Sequence, residues 1–291
     1  MEELFMYDII IIGKGVAGVS AALYTVRANL RTLIIGSGIG ALEHAEKIDN
    51  YYGFPGGISG AELHRRGVEQ ARRLGCDFVE DEVVSVSKYE TAVVKTTRGE
   101  YEGRALLIAT GKPRATTKLD GVDAFLGRGI SLCAVCDGFF YRGKRLAVLG
   151  SANYALAETE ELTRFTQDIT ICTNGREPSW ENALPAGVKV DTRALARVSG
   201  GSRAEHLEFQ DGDRLEIDGI FVAEGTASAL DFAVKMGILT EGNSIVVDDS
   251  YRTNMPGVYA AGDCIGGFLQ ISKAVGDGAL AARTIIRELK N

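Results

Sequence analysis

An apolar run that leads straight into a glycine-rich turn places the tightest limit on what this chain can fold into. Residues 7–12 (YDIIII) have the length and β-branched character of a buried parallel strand. They are followed by the turn 13–18 (GKGVAG), a helix-like segment up to Val26 and a second apolar run at 32–35. Strand, glycine turn, helix and strand is the order of a dinucleotide-binding βαβ unit. Glycines there let the backbone approach a pyrophosphate, so we predict a nucleotide site at this turn.

A second copy of this order begins near the middle of the chain. An apolar run at 146–149 precedes the turn 150–155 (GSANYA), a helix-like segment and another apolar run at 168–172. The sequence therefore predicts an α/β protein with two Rossmann-like nucleotide-binding domains. The second turn is degraded, because Ala152 and Ala155 occupy the positions of the second and third glycines. A Cβ at Ala152 would crowd an approaching pyrophosphate.

Composition argues against several classes of protein. With 291 residues, 45% of them hydrophobic, the chain is long enough for one large or two ordinary domains. Its net charge of −7 argues against nucleic acid as a partner. No apolar run reaches the ~18 residues of a membrane span, and the acidic start at 1–3 lacks the basic region of a secretory signal. Five cysteines, an odd number, do not suggest a secreted disulfide framework, so a cytoplasmic location is expected.

Cys133 and Cys136 form a Cys-x-x-Cys motif that is followed directly by Asp137. In a reducing compartment such a pair is more often redox-active or metal-binding than structural. A zinc site needs four ligands, and the other cysteines and histidines form no second Cys-x-x-Cys or Cys/His cluster. We therefore predict a redox pair and no metal, with Asp137 as a proton donor beside the thiols. The remaining cysteines are predicted to be packing residues: Cys76, Cys172 and Cys264.

Further segments complete the predicted organisation. A glycine-rich loop spans 50–60, a buried strand returns at 105–111, and the residues 112–114 (KPR) indicate a domain exit. The apolar run 258–263 ends in a glycine and an aspartate, which could hydrogen-bond a ribose or polyol or form a plain turn. A helix is predicted at about 270–289. The other predicted strands are 75–79, 83–86, 91–94, 101–107, 204–209, 217–222 and 244–248.

Six motifs in this order resemble the low-molecular-weight thioredoxin reductase family of flavoproteins over nearly the whole chain. They are Gly13-x-Gly15-x-Ala17-Gly18, Arg27-Ala28-Asn29-Leu30, residues 53–60 (GFPGGISG), Ala109-Thr110-Gly111, Cys133-x-x-Cys136-Asp137-Gly138 and Ala260-Ala261-Gly262-Asp263. The resemblance implies an FAD-binding domain made of residues 1–114 and 228–291. A smaller, degenerate NAD(P)H-binding-like domain, 115–227, would interrupt it and carry the cysteine pair. The resemblance also implies FAD as the cofactor, thioredoxin as the substrate and a homodimer.

The same resemblance implies roles for single residues. Cys136 would face the flavin, while Cys133 would leave as a thiolate and attack the disulfide of a thioredoxin-like protein. Asp137 would be the general acid–base. Asp263 would bind the ribityl chain, and Asn50 would lie near the flavin. The cofactor-binding residues that the resemblance implies are Gly13, Gly15, Ala17, Gly18, Asn50, Ala109, Thr110, Gly111, Gly262, Asp263, Gln270 and Ile271.

The second nucleotide turn departs from the family's pattern. Members that use NADPH carry a full glycine fingerprint there, and a His-Arg-Arg run with a further arginine after the next strand. Here the latter place is 173–176 (TNGR), with Arg176 as its one arginine. This favours the related ferredoxin-dependent flavin thioredoxin reductases, which take their electrons from ferredoxin. An NAD(P)H-dependent thioredoxin reductase stays open as an alternative. So does a ferredoxin/flavodoxin–NADP reductase-type flavoprotein, although such relatives lack the cysteine pair.

A ferredoxin partner would require a local basic face, because ferredoxins are usually acidic and this chain carries a net charge of −7. The densest group of basic residues flanks the cysteine segment and is the predicted basic face. It comprises Lys112, Arg114, Lys118, Arg128, Arg142, Lys144 and Arg145.

Overall fold

The computed structural model of the chain describes residues 6–111 and 117–290. The chain divides into two compact units. The first unit comprises Met1–Pro113 and Ser228–Asn291, and the second unit comprises Arg114–Ala227. The domain exit predicted at 112–114, and with it Lys112 and Arg114 of the predicted basic face, lies outside the described residues.

The first part of the first unit begins with the predicted strand, turn and helix. A short 3₁₀ turn at Gly40–His44 follows the second strand. The elements are β1 (Tyr7–Ile12), α1 (Val16–Arg27), β2 (Thr32–Ile35), α2 (Gly60–Arg73), β3 (Asp77–Val79), β4 (Val83–Lys88), β5 (Ala92–Thr96) and β6 (Glu100–Ile108).

The second unit carries the cysteine pair and the second βαβ order. Its elements are α3 (Val122–Phe125), β7 (Ile130–Ser131), α4 (Ala134–Asp137), β8 (Leu146–Leu149), α5 (Asn153–Leu162), β9 (Ile169–Cys172), β10 (Lys189–Asp191), β11 (Leu195–Ser199), β12 (His206–Phe209), β13 (Arg214–Glu216) and β14 (Gly219–Val222).

The chain then returns to the first unit and ends in a long helix. The elements are α6 (Ala229–Lys235), β15 (Thr240–Glu241), β16 (Ser244–Ile245), β17 (Val258–Ala260) and α7 (Ile271–Lys290). The strand predicted over 244–248 is wrong in extent, because only Ser244 and Ile245 pair, in a two-stranded ribbon with β15. No helix formed by the described residues is long and apolar enough to cross a membrane.

One seven-stranded sheet organises the first unit, in the order β3-β2-β1-β6-β5-β4, with β17 also paired to β6. Strands β1, β2, β3, β6 and β17 are parallel, whereas β5 is antiparallel to both of its neighbours, β4 and β6. We predicted a small sheet that includes 101–107 and a separate buried strand at 105–111. The structure corrects this, because the single strand β6 pairs with β5 near its start and with β17 at its end.

Buried parallel strands form the core of each unit. In β1, Ile9 to Ile12 are at most 2% exposed, because helices cover the sheet. The second unit has a parallel sheet in the order β10-β9-β8-β14-β7 and a separate antiparallel sheet of β11, β12 and β13. Strands β10, β11 and β13 were not predicted. The predicted α/β class is confirmed.

Candidate active site

The cysteine pair lies directly after β7, the edge strand of the second unit's parallel sheet. Cys133 and Cys136 form a disulfide with their Cα atoms 5.3 Å apart. Cys133 caps the start of the short helix α4, and its Sγ accepts a hydrogen bond from the N–H of Cys136 at 3.1 Å. This N–H would stabilise negative charge on Cys133 Sγ once the disulfide opens.

The two sulfurs differ in accessibility. Cys133 is only 2% exposed, whereas Cys136 is exposed. An attacking thiol must be accessible to its protein substrate. The oxidised form described here thus presents Cys136 rather than Cys133. The assignment of the attack to Cys133 stays a prediction, and it requires this segment to rearrange when the disulfide is reduced.

Asp137 is tied to the disulfide segment through a serine. Ser131 Oγ donates to Asp137 Oδ2 at 2.7 Å and accepts the N–H of Cys133 at 3.0 Å. The N–H of Asp137 donates to the carbonyl of Cys133 at 3.2 Å. The carboxylate is therefore part of the same hydrogen-bonded turn as the cysteines. Sequence reasoning missed Ser131, because a lone serine at the end of a short strand carries no pattern.

A buried carboxylate on α5 holds the start of α4. Glu158 is 2% exposed, and its Oε2 accepts the N–H of Ala134 at 2.8 Å. This bond satisfies a backbone donor that the helix itself cannot satisfy. Sequence reasoning missed Glu158 as well. A glutamate between Ala155 and Leu162 on the buried face of α5 was the available signal.

Exposed apolar side chains surround the cysteines in sequence. Val135 is 53%, Phe139 61% and Phe140 75% exposed. The guanidinium of Arg142 lies over the ring of Phe139, 5.2 Å from its centroid. Clustered exposed aromatic residues are typical of surfaces that bind another protein.

In the first unit, the glycine turn packs against the end of β6. A Cβ built on Gly13 would lie 2.3 Å from the carbonyl oxygen of Ala109, and one on Gly18 would lie 2.0 Å from that of Gly13. The structure thereby brings Gly13, Gly18, Ala109 and Thr110 together, as the motifs require. Only glycine fits at the two turn positions, because a side chain would overlap backbone atoms.

Two other predicted residues meet over a long sequence separation. The side-chain amide of Asn50 donates to Oε1 of Gln270 at 3.1 Å, across 220 positions. Gln270 directly precedes Ile271, the first residue of α7.

Ala17 is 5% exposed, and a Cβ on Gly262 would lie 2.8 Å from the Cβ of Ala17. Ala17 is therefore a packing contact between α1 and the Gly262 loop.

A buried carboxylate that sequence reasoning missed holds the Gly262 loop in place. Asp277 of α7 accepts the N–H of Gly262 at 3.1 Å and the hydroxyl of Tyr251 at 2.9 Å. Lys273 forms an ion pair with Asp277 and donates to the carbonyl of Gly266 at 2.7 Å. Burial and the neighbouring Asp277 raise the pKa of Tyr251 to about 12, so this hydroxyl stays a donor. Asp263 lies within the loop held at both ends.

The second nucleotide turn is covered by the chain itself. Ala152 caps the start of α5 and forms a parallel bridge with Ser179. The N–H and the hydroxyl of Ser179 donate to the carbonyl of Ser151 at 2.7 and 3.1 Å. Asn153 Oδ1 accepts the N–H of Glu181 at 2.9 Å. These bonds hold segment 179–181 against the start of α5, beside the place where a pyrophosphate would approach the helix N–H groups.

The remaining cysteines have no chemistry in this arrangement. Burial raises the pKa of the Cys76, Cys172 and Cys264 thiols to about 12, so they stay protonated at neutral pH. Among the described residues, no group of three or more His, Cys, Asp or Glu side chains could hold a metal ion.

Comparison with known proteins identifies the family. The family model for pyridine nucleotide-disulphide oxidoreductases matches residues 7–278. The chain belongs to this family. A thioredoxin reductase of Aquifex aeolicus is 35% identical over 277 residues, which cover 89% of this chain and 86% of that protein. One of Bacillus subtilis is 35% identical over 302 residues, covering 98% of this chain and 95% of that protein.

Two solved structures of related reductases are similar to this chain. The atypical thioredoxin reductase TRi from Desulfovibrio vulgaris Hildenborough has a TM-score of 0.93 and 40% identity, with 98% of each chain covered. A ferredoxin-flavin thioredoxin reductase from Clostridium acetobutylicum has a TM-score of 0.74 and 31% identity, also over 98% of each chain. Within the pyridine nucleotide-disulphide oxidoreductases, this chain is thus a thioredoxin reductase.

FAD is the cofactor of this pyridine nucleotide-disulphide oxidoreductase, and the first unit fits it. No atom lies within 4 Å of a Cβ built on Gly15, the residue that caps the start of α1, so the space beside it is open. Thr110 Oγ1 is buried and, among the described residues, has no hydrogen-bond partner. An open helix start beside an unused hydroxyl suits a phosphate group.

Proposed function

We propose that this thioredoxin reductase takes its electrons from ferredoxin rather than from NADPH or NADH. The observation that carries the proposal is the segment 179–181, which covers the second nucleotide turn. Phosphates bind at helix starts through free backbone N–H groups and nearby cations. Here Ser179 and Glu181 donate to acceptors of the turn and so hold the segment beside Ala152, where it would obstruct an approaching phosphate. Arg176 supplies one guanidinium where a 2′-phosphate needs several donors.

The two alternative functions leave features of the structure unexplained. An NAD(P)H-dependent reductase would need segment 179–181 to move away from the start of α5. A flavoprotein that passes electrons between ferredoxin and NADP would leave the Cys133–Cys136 disulfide without a use. The exposed aromatic residues beside the disulfide instead support a protein substrate for it.

The reaction exchanges one disulfide for another. In the reduced enzyme, Cys133 attacks the disulfide of thioredoxin as a thiolate, forming a mixed disulfide and releasing a thioredoxin thiolate. Cys136 then attacks the sulfur of Cys133, which releases thioredoxin as a dithiol and re-forms the Cys133–Cys136 bond. Asp137 accepts the proton of the attacking thiol and returns one to the leaving thiolate. When bound, FAD supplies the electron pair that reopens the disulfide.

The residues proposed to hold FAD lie in the first unit. Gly15 and Thr110 would contact the pyrophosphate region, and Asp263 the ribityl chain. Asn50 and Gln270, joined by their hydrogen bond, would lie at the flavin. Assembly as a homodimer also remains a prediction. The remaining proposed cofactor residues are Gly13, Ala17, Gly18, Ala109, Gly111, Gly262 and Ile271.

The predicted basic face is smaller than its sequence suggests. Arg145 is neutralised by ion pairs with Glu216 at 2.6 Å and with Asp218 at 3.1 Å. Two residues of the face, Lys144 and Arg128, line a cavity of about 360 Å³. Arg203, which was not predicted, lines it as well, and so does Asp218, whose carboxylate is paired with Arg145. We propose this cavity rim as the part of the face that meets an acidic ferredoxin.

The test of the electron donor is anaerobic. Purified holoenzyme is mixed with excess NADPH or NADH, and separately with reduced ferredoxin, while the flavin absorbance is followed. We expect bleaching with ferredoxin alone; rapid bleaching by either nicotinamide would overturn the proposal. Ala152→Gly restores the turn glycine but leaves segment 179–181 in place, so this variant should also stay unreactive towards NADPH.

The roles of the two sulfurs are tested with serine variants. Cys133→Ser should keep flavin reduction but abolish reduction of thioredoxin. Cys136→Ser should trap a mixed disulfide with thioredoxin through Cys133, because the resolving thiol is absent. Reduction of thioredoxin by Cys133→Ser would contradict the assignment of the attack to Cys133. A thioredoxin complex trapped through Cys136 in Cys133→Ser would contradict it as well.

A further inference from the structure

A single buried hydroxyl connects the acid of the site to the backbone of its cysteine. Ser131 is 4% exposed at the end of β7, a strand that pairs with β14 in the parallel sheet. Its Oγ accepts the N–H of Cys133 at 3.0 Å. The same oxygen lies 2.7 Å from Asp137 Oδ2 and 3.3 Å from the carbonyl of Cys133. The hydroxyl has a single proton, so it can donate fully to only one of these two acceptors. It donates to the carboxylate, because that contact is shorter and the acceptor is charged.

This geometry fixes one oxygen of Asp137 and leaves the other available. Oδ2 is held by Ser131, and among the described residues none donates to Oδ1. Asp137 is the last residue of a four-residue helix and is partly exposed, so little else restrains its side chain. Without Ser131 the carboxylate would be free to turn towards water.

We propose that Ser131 is the positioning residue for Asp137 in thiol–disulfide exchange. By anchoring Oδ2 to the Cys133 turn, the hydroxyl keeps Oδ1 free to exchange a proton with the cysteine thiols. No bond of Ser131 changes in the reaction. The proton passes between the thiol and Asp137, and the electron pair passes between sulfurs. This inference rests on the proposed acid–base role of Asp137.

The expected loss of rate depends on how much the correct placement of Asp137 contributes to thiol–disulfide exchange. A positioned acid–base group contributes about 10²–10⁴-fold to a rate, and part of this is lost when the group is misplaced. Ser131→Ala should therefore lower the rate of thioredoxin reduction about tenfold to hundredfold. The KM for thioredoxin and the FAD content should not change. Ser131→Thr keeps the hydroxyl and should recover most of the rate.

The decisive experiment is a double-mutant cycle on the holoenzyme. Each variant is reduced, freed of excess reductant and mixed with oxidised thioredoxin in a single turnover. If Ser131 acts through Asp137, Ser131→Ala adds nothing in the Asp137→Asn background. The inference would be overturned if Ser131→Ala lowered the rate by the same factor with Asp137 present and in the Asp137→Asn background. A wild-type rate for Ser131→Ala alone would also overturn it. A wild-type rate for Asp137→Asn would instead refute the acid–base role itself.

A matched control is available in the same unit. Ser199 Oγ donates to Glu208 Oε1, also at 2.7 Å, in the antiparallel sheet of β11, β12 and β13. Ser199→Ala removes an equivalent bond away from the cysteine turn and should leave the rate unchanged. If Ser131→Ala does not fold, Ser131→Val is compared with Ser131→Thr, which has nearly the same shape and keeps the hydroxyl, and the same cycle is run with this pair.

Discussion

Lys273, which is partly exposed, and the buried Asp277 form an ion pair, 2.8 Å from Nζ to Oδ2, one turn apart on α7. Asp277 also accepts the N–H of Gly262, and Lys273 donates to the carbonyl of Gly266. The pair therefore binds both ends of the loop that carries Asp263. A loop held in this way is ordered before the cofactor arrives, which lowers the entropic cost of binding.

Replacing Lys273 should weaken both the fold and FAD binding. In Lys273→Met, the buried carboxylate of Asp277 loses its counter-charge, and we expect a loss of about 3 kcal/mol in the free energy of unfolding. FAD affinity should fall as the loop loosens. Denaturant unfolding and flavin fluorescence titration of the apoprotein measure the two effects. Lys290→Met, at an exposed position on the same helix, should change neither; an unchanged FAD affinity for Lys273→Met would contradict the prediction.

Gly15 and Gly18 should respond differently to a methyl group. Nothing lies within 4 Å of a Cβ on Gly15, whereas a Cβ on Gly18 would lie 2.0 Å from the oxygen of Gly13. Gly15→Ala should leave the apoprotein stable but weaken FAD binding about tenfold to hundredfold, as loss of a charged hydrogen bond does. Gly18→Ala should destabilise the fold by about 1–3 kcal/mol. Thermal unfolding of the apoproteins and FAD titration separate these outcomes, and tight FAD binding by Gly15→Ala would disprove the pyrophosphate site.

Phe140 should contribute to binding thioredoxin and not to the chemistry. Its side chain is 75% exposed, so truncation removes little from the fold. An aromatic anchor at a protein interface is worth about 2 kcal/mol, so Phe140→Ala should raise the KM for thioredoxin about thirtyfold. Turnover of a small aromatic disulfide should be unaffected. Tyr89→Ala, at a 91% exposed position in the first unit, serves as the control. An equal loss with both disulfides would argue against a docking role.

Lys144 should accelerate the encounter with ferredoxin at low salt. Lys144→Glu reverses a charge on the proposed face, and we expect the ferredoxin-driven rate to fall up to about fivefold. The difference should shrink as salt screens the charges. Arg73→Glu changes the net charge equally, at an exposed position on α2, and should have little effect. Rates of Lys144→Glu that match the wild type at every salt concentration would remove this residue from the interface.

His64 should make stability fall on the acid side of neutrality. Its ring contacts the carbonyl of Lys14 at 3.1 Å, and burial, together with the Lys14 ammonium, lowers its pKa, while Glu80 opposes this. The unfolded chain binds a proton near the ordinary pKa of about 6.5, but the folded chain resists it. The free energy of unfolding should therefore decrease as the pH drops below this value. Denaturant titrations at several pH values should show a smaller decrease in His64→Gln than in the wild type, and equal slopes would contradict the prediction.

Local patterns predicted the elements around the first nucleotide turn closely. The strands at Tyr7–Ile12 and Thr32–Ile35 begin and end where the apolar runs do, because a buried parallel strand needs an unbroken apolar sequence. The patterns failed for short strands such as Lys189–Asp191, which are half exposed and have no periodicity of their own. The segment Lys189–Asp191 is a strand because it pairs with β9. Such pairing cannot be predicted from the sequence of three residues.

The sequence alone determined the chemistry that the chain carries: a glycine turn for a nucleotide, a cysteine pair and an adjacent acid. These depend on residue types at fixed short spacings, which the chain preserves however it folds. Tertiary structure alone decided which residues support them. Ser131 reaches Asp137, Glu158 reaches Ala134, and segment 179–181 covers the second turn, because folding brings together groups whose separations follow no sequence rule. The eroded glycines suggested a lost nicotinamide site, and the contacts of Ser179 with the turn support that proposal.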